Sequence, residues 1–142
     1  MNAPWRRPIP PEGFDHLIPG TLMEALGIRI LGVEGDTLSG TLPVDRRTRQ
    51  PFGLLHGGAS VALAETLGSL AAWLAAPEGC VPVGLEINAS HLRAVCEGVV
   101  TGHARPVRLG SRHQVWAVEI EDDHGRAVCV CRLTVALHAQ KA

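Results

Sequence analysis

Between Ala59 and Ala76 the chain reads ASVALAETLGSLAAWLAA, and Glu65 is the only charged residue in that run. An ionised carboxylate among apolar neighbours is costly to bury without partners, so Glu65 needs an ion pair, a raised pKa or a task. A structural pair with an arginine and a functional acid or base fit this residue equally well when it is taken alone, since perturbed carboxylates occur at both kinds of site. Its neighbours shift the balance. His56-Gly57-Gly58 stands where a loop enters the segment. The first N–H groups of a helix lack intrahelical partners and lie at the positive end of its dipole, so they can hold a carbonyl oxygen that is gaining negative charge. The plainer reading is that the two glycines only permit a tight entry into the helix. A glycine-lined helix start, a flanking histidine and a carboxylate further along are together far more specific than any one of them.

These residues need a helix to position them. The segment is rich in alanine and leucine, lacks proline, and ends at Pro77 and Gly79, which predicts a helix over residues 59–76. It is apolar nearly all round and should be buried on most sides. From Gly57 to Glu65 the rise of 1.5 Å per residue amounts to roughly 12 Å, too far for both to touch one reacting carbon. Two copies with antiparallel helices across a two-fold axis would bring Glu65 of one chain to Gly57 of the other and create two equivalent sites. The expected assembly is therefore a homodimer with its sites at the interface.

Around the helix the pattern is that of strands. Ile28 and Ile30, then Leu38, Leu42 and Val44, alternate about the turn Glu34-Gly35-Asp36, as a half-buried hairpin does. Residues 16–26 carry a cap at Thr21 and a short apolar periodicity, which predicts a brief helix. The proline-rich residues 1–14 are expected to lie loosely over the surface. From Asp45 to Gly58 the alternation stops in a loop with Pro51 and three glycines, and loops of that length tend to carry function. After the helix come four strand-like segments. Val81, Val83, Leu85, Ile87 and Ala89 share a face in 81–95; residues 98–107 follow; Trp116, Val118 and Ile120 share one in 113–121; Cys129, Cys131, Leu133, Val135 and Leu137 share one in 127–137. Asp122-Asp123-His124-Gly125 reads as the hairpin turn between the last two. The order predicts a single α+β domain over 1–142, a long central helix wrapped by a curved antiparallel sheet of five to six strands.

Composition narrows the function. With 142 residues, 46% of them hydrophobic and 19% charged, the chain has the material for one core. Thirteen basic residues against fourteen acidic leave a net charge of −1, so the electrostatic footprint of a nucleic-acid binder is missing. The best apolar run is interrupted by Glu65, so no membrane span is expected. Prolines and Glu12 stand where a signal peptide needs an apolar stretch, and a cytoplasmic location is expected. Cys80, Cys96, Cys129 and Cys131 lack CxxC or metal-type spacing and read as buried thiols. His16, His103, His124 and His138 show no metal-ligand spacing, and no metal is expected. His91 and Arg93 fall on the strand face of Val83, Leu85 and Ile87, where a core could open into a pocket; a histidine satisfied within the core is the alternative. Gly110-Ser111-Arg112-His113 offers a backbone turn, a hydroxyl and a guanidinium to phosphate oxygens. On those residues alone, an ordinary turn opening a strand is the simpler reading.

The run Gly53-Leu54-Leu55-His56-Gly57-Gly58-Ala59-Ser60, followed by Ala64-Glu65-Thr66-Leu67-Gly68-Ser69, resembles the hotdog-fold acyl-CoA thioesterases, in the branch that carries its carboxylate on the helix and handles aromatic acyl groups. Val83 to Ala89, His91 with Arg93, and Leu109 to Trp116 extend the similarity, which runs from about Gly27 to Leu137. The resemblance implies a hotdog dimer, with two dimers pairing into a tetramer. It implies Glu65 as nucleophile or general base, Gly57 N–H polarising the thioester carbonyl, Gln50 and His56 positioning that group, and Ser69 orienting water or substrate one turn beyond Glu65. Gly84, Leu85, His91, Arg93, Gly110, Ser111, Arg112 and His113 are implied to bind the substrate and its coenzyme A. No cofactor is implied, because coenzyme A arrives as part of the substrate. The expected reaction is hydrolysis of an acyl-CoA, with aromatic acyl groups favoured, to the free acid and coenzyme A. Alternatives are a thioesterase acting on acyl groups of a carrier protein, a hotdog hydratase or dehydratase, which pairs histidine and acid in another motif, and a non-catalytic acyl-CoA binding module. For a binding module a buried charge at Glu65 would only weaken apolar packing. Direct attack by Glu65 and activation of water are both open on the sequence alone.

Overall fold

The computed structural model describes residues 2–141. A short 3-10 turn over Asp15–Leu17 leads to α1 (Leu22–Leu26). Thr21 caps that helix by accepting from Met23 N–H, and the helix stops at Gly27, whose φ of 76° a side chain would resist. The hairpin β1 (Arg29–Glu34) and β2 (Thr37–Pro43) follows. Next come the long helix α2 (Gly57–Ala75) and four strands: β3 (Cys80–His91), β4 (Val99–Leu109), β5 (His113–Glu121) and β6 (Ala127–Ala139). All six strands form one antiparallel sheet in the order β1-β2-β4-β5-β6-β3.

The period-2 pattern explains the core. Leu38 and Leu42 of β2, Val100 and Ala104 of β4, Trp116, Val118 and Ile120 of β5, and Leu133 and Val135 of β6 are all buried. They meet Leu63, Leu67, Ala71 and Leu74 of α2, which are fully buried too. This is the hotdog arrangement, a sheet wrapped on one long helix. By length and composition α2 is the one helix among the described residues able to cross a bilayer, yet its buried stripe is the centre of this core. Glycines let the sheet close in on the helix. Gly40 and Gly102 are paired across β2 and β4, and a Cβ on either would come within 2.8 Å or 2.7 Å of a Leu67 methyl. On α2 itself, a Cβ at Gly68 would lie 2.5 Å from Leu133 Cδ2. Gly68→Ala should therefore lose about 1–3 kcal/mol through overpacking, despite alanine's better helix propensity, as read from urea unfolding midpoints.

Three expectations need correction. The alternation in β3 breaks at Leu85: Gly84 pairs with Val135 and Glu86 with Thr134, which leaves Leu85 as the extra residue of a bulge. Val83 and Leu85 are consequently 51% and 56% exposed, whereas Ile87 and Ala89 pack against the core. Residues 2–14 do not lie loose. Arg6 and Arg7 N–H both donate to Leu74 O, one of the orphan carbonyls at the end of α2. Arg7 also donates to the carbonyls of Trp73 (2.7 Å) and Cys80 (2.7 Å) and sits over the Trp73 ring. Trp5 stacks on Trp116 and donates to Gly35 O. Finally, only Cys129 and Cys131 are buried thiols; Cys80 is half-buried and Cys96 exposed. Burial pushes the Cys131 thiol up to about 12 and raises Cys129 as well, which removes both from nucleophilic chemistry near neutrality.

One flank of α2 escapes the sheet. Val61, Ala62, Glu65, Thr66, Ser69 and Leu70 are half-buried there, and Trp73 is exposed. Beside it, β3 ends the sheet as a long edge strand, the kind of edge that isolated domains usually blunt or cover.

Candidate active site

The loop between β2 and α2 is held by its own backbone. Thr48 is buried, donates to Pro43 O at 2.6 Å, and its carbonyl accepts from His56 N–H at 2.8 Å. Asp45, brought down to about 2 by the Arg47 guanidinium that bonds it, opens the loop. Gln50 N–H donates to Leu54 O, and Leu55 N–H donates to Val95 O at 2.7 Å. The Gln50 side-chain oxygen accepts from Phe52 N–H at 2.5 Å and Leu54 N–H at 3.3 Å. With the acceptor end occupied, the amide presents its NH2 group, two donors without a partner among the described residues.

The start of α2 divides its free amides. His56 is the N-cap: its Nδ1 accepts from Gly58 N–H at 2.8 Å, which leaves the ring proton on Nε2. Ala59 and Ser60 N–H both donate to His56 O. Gly57 N–H has no partner among the described residues, and Gly57 lines a cleft of about 370 Å³ together with Gln50, Ser60, His91 and Arg93. His91 closes down on the glycine; a Cβ there would lie 2.8 Å from His91 Nε2. Of the residues expected to polarise or position a carbonyl, Gln50 and Gly57 offer donors, and His56 holds the helix end through Nδ1 while its Nε2–H has no partner among the described residues. Ser60, 1% exposed yet on the cleft wall, was missed; its spacing of three from Gly57 puts it on the same helix face, the signal that could have revealed it.

Glu65 lies elsewhere in the chain. It makes no ion pair or hydrogen bond among the described residues, so the structural ion-pair reading does not hold. Loss of solvent raises its pKa above the ordinary glutamate value. Gly84 admits it: a Cβ at that position would collide with Glu65 Oε1. Ser69 follows one turn on, half-buried on the same flank. Leu85, next to Gly84, is turned out by the bulge and is exposed.

The Gly110 turn lies further on, by the C-terminal end of α2. Gly110 N–H donates to His113 O at 2.9 Å, and Arg112 O accepts from Leu137 N–H at 2.8 Å. Gly110, Ser111, Arg112 and His113 line a shallow cleft together with Arg108, a guanidinium absent from the sequence-based candidates. Among the described residues no group of histidine, cysteine or carboxylate side chains could hold a metal ion. The candidates thus occupy three stations along one helix: Gly57 with Gln50, His91 and Arg93 at its start, Glu65 with Gly84 and Ser69 about 12 Å on, and the Gly110 turn roughly 15 Å beyond Glu65.

Comparison with known proteins joins these observations to a family. The sequence profile of the thioesterase superfamily matches residues 52–129. Over 133 residues the chain is 51% identical to 1,4-dihydroxy-2-naphthoyl-CoA hydrolase of Escherichia coli, covering 94% of this chain and 98% of that protein. It is 50% identical to a proofreading thioesterase of Cronobacter turicensis, covering 94% and 97%. Among solved structures, a thioesterase of Haemophilus influenzae superposes with a TM-score of 0.93 at 45% identity, covering 97% of this chain and 96% of that one. A glutamine-to-alanine mutant of a Pseudomonas aeruginosa thioesterase gives the same TM-score at 41% identity, covering 96% and 99%.

Proposed function

The chain belongs to the thioesterase superfamily, and from that premise we propose that it hydrolyses acyl-CoA thioesters, aromatic ones foremost, at two sites shared between the subunits of a homodimer. The unpaired, desolvated carboxylate of Glu65, on the flank of α2 that the sheet leaves open, is the observation that carries this reading. A second copy laid antiparallel along that flank would bring Glu65 of the partner subunit to Gly57, and the β3 edge strands could pair beside it. Neither station suffices alone, since donors for an oxyanion and a base for water must both lie within reach of one carbon.

In the shared site, Gly57 N–H and the Gln50 NH2 group donate to the thioester oxygen. Glu65 of the partner subunit accepts a proton from water as the water oxygen bonds to the carbonyl carbon; the C–S bond then breaks, and the proton passes to the departing thiolate. Attack by the carboxylate itself, with the mixed anhydride hydrolysed afterwards, uses the same geometry. Ser69 orients the water or the acyl group, His56 keeps the helix end in place, and Arg93 with the Gly110 turn holds the coenzyme A portion. The family resemblance supports a tetramer of two such dimers.

The naphthoyl-CoA in the name of the Escherichia coli relative supports an aromatic acyl group. Thiol release over aromatic, short-chain and long-chain acyl-CoA substrates tests this. The aromatic members are expected to exceed the aliphatic ones by about tenfold or more in kcat/KM, the discrimination that a shaped apolar pocket can supply. The Cronobacter relative is named a proofreading thioesterase, and acyl groups on a carrier protein, the alternative that the family resemblance implies, belong in the same panel as a further substrate. A flat profile would refute the aromatic preference, and a carrier-protein substrate preferred over its coenzyme A counterpart would transfer the proposal to that substrate.

A further inference from the structure

Gln114 is 2% exposed, near the start of β5. Its Oε1 accepts from Trp116 Nε1 at 3.0 Å, which fixes the orientation of the amide. Its NH2 group donates to nothing among the described residues, yet no buried side-chain nitrogen there is sealed away without a partner. That group must therefore open onto space. Gln114 lines a hollow of about 510 Å³ together with Pro4, Trp5, Pro77, Leu109, Gly110 and Ser111. The same Gly110 and Ser111 border the cleft of Arg108, Arg112 and His113, and Arg6 borders the hollow itself. None of these three arginines enters an ion pair among the described residues, in a chain whose net charge is −1.

An apolar slot with one buried donor, opening beside unpaired guanidiniums, suits a flat nitrogen heterocycle that carries phosphates. Apolar and aromatic walls take the ring faces, the amide meets an acceptor on the ring edge, and arginines meet the phosphate oxygens. The hollow lies at the far end of α2 from Gly57, about 15 Å from Glu65 by helix rise, so it cannot hold the reacting carbonyl; it lies where the distal end of a substrate with a long arm would reach. The wall is also built: Arg6 and Arg7 backbone amides and the Arg7 guanidinium tie the N-terminal segment to the end of α2.

We propose that this hollow is the adenine subsite for coenzyme A, formed by the N-terminal segment and Gln114, with Gln114 Nε2 donating to a ring nitrogen while Arg108 and Arg112 hold the phosphates. The inference rests on the acyl-CoA reading above, and the experiment separates the two. The same aromatic acyl group is presented on coenzyme A and on N-acetylcysteamine, which lacks the nucleotide. Trp5→Leu and Gln114→Met should each raise KM for the coenzyme A substrate about tenfold, with kcat unchanged, and leave turnover of the N-acetylcysteamine thioester at the wild-type rate. Equal losses on both substrates, or no loss on either, would overturn the adenine subsite while leaving hydrolysis intact; a wild-type protein that cleaves neither thioester would overturn the underlying reading instead. Should Gln114→Met fail to fold, adenosine 3′,5′-bisphosphate titrated into the wild-type protein supplies the second measurement. The Gln114 side-chain amide and Trp5 indole N–H resonances should shift with saturation, and unshifted signals would overturn the proposal.

Discussion

Glu65→Gln is expected to lower kcat for an aromatic acyl-CoA by about 10³-fold, within the range that a positioned acid–base group supplies, with KM little changed and the fold intact. Glutamine keeps the size and the contact at Gly84 but can neither take a proton nor attack a carbonyl. Desolvation raises the pKa of Glu65 above the ordinary glutamate value, and catalysis needs the ionised form. The acidic limb of kcat/KM should therefore lie above the ordinary carboxylate range and disappear from the residual activity of the variant. The same shift has a signed effect on stability. In the pH window above the unfolded glutamate pKa the folded state holds more protons, so the contribution of Glu65 is most favourable below that pKa and is lost as pH rises through the folded one. Glu65→Gln should accordingly raise the melting temperature at neutral pH, with the gain shrinking as pH falls toward the glutamate value. A melting temperature lowered at neutral pH would mean that the carboxylate has a stabilising partner after all.

Gly57→Ala should cost about 10²-fold in kcat, comparable to losing one oxyanion donor. No side-chain change removes a backbone N–H, but the new methyl would lie 2.8 Å from His91 Nε2, so the ring or the first turn of α2 must move and misaim the amide. Gly58→Ala is the matched control. Its methyl meets only the capping His56 ring at 3.0 Å, and the Gly58 N–H is already consumed by that ring, so the loss should stay below the roughly 10²-fold of a lost oxyanion donor. Single-turnover rates for the two variants, with circular dichroism to confirm the fold, separate these outcomes. Equal effects at the two glycines would assign both to the shape of the helix end.

Much of the fold was legible in the residues because local pattern and tertiary environment agree. The helix announces itself by composition and starts two residues before the expected Ala59, since His56 caps it at Gly57. The hairpin turns at Gly35 and Gly125 and the buried faces of β5 and β6 follow from strict alternation. Where a feature depends on a partner strand, the pattern misleads: Leu85 continues the alternation in sequence, and only the register against β6 reveals the bulge. The N-terminal segment misleads for a related reason. Its prolines suggest looseness, but its amides meet carbonyls that become available only where α2 ends. Glu65 was legible because a lone charge in an apolar helix demands a cause, whereas Ser60, Gln114 and Arg108 look ordinary until folding places them beside cavities. The separation of the site into stations was implicit in the rise of the helix, and the structure of one chain leaves Gly57 and Glu65 in separate surroundings.

Sharing of the site is most directly tested by subunit mixing. Gln50→Ala and Glu65→Gln chains, each nearly inactive as a homodimer, are co-expressed with different tags and purified as heterodimers. One interface site then carries both lesions and the other neither, so a shared site predicts about half the wild-type kcat per dimer, one of the two equivalent sites being intact. Heterodimers no more active than the parent variants would show that Gln50 and Glu65 act within a single chain, which contradicts a site completed by the partner subunit.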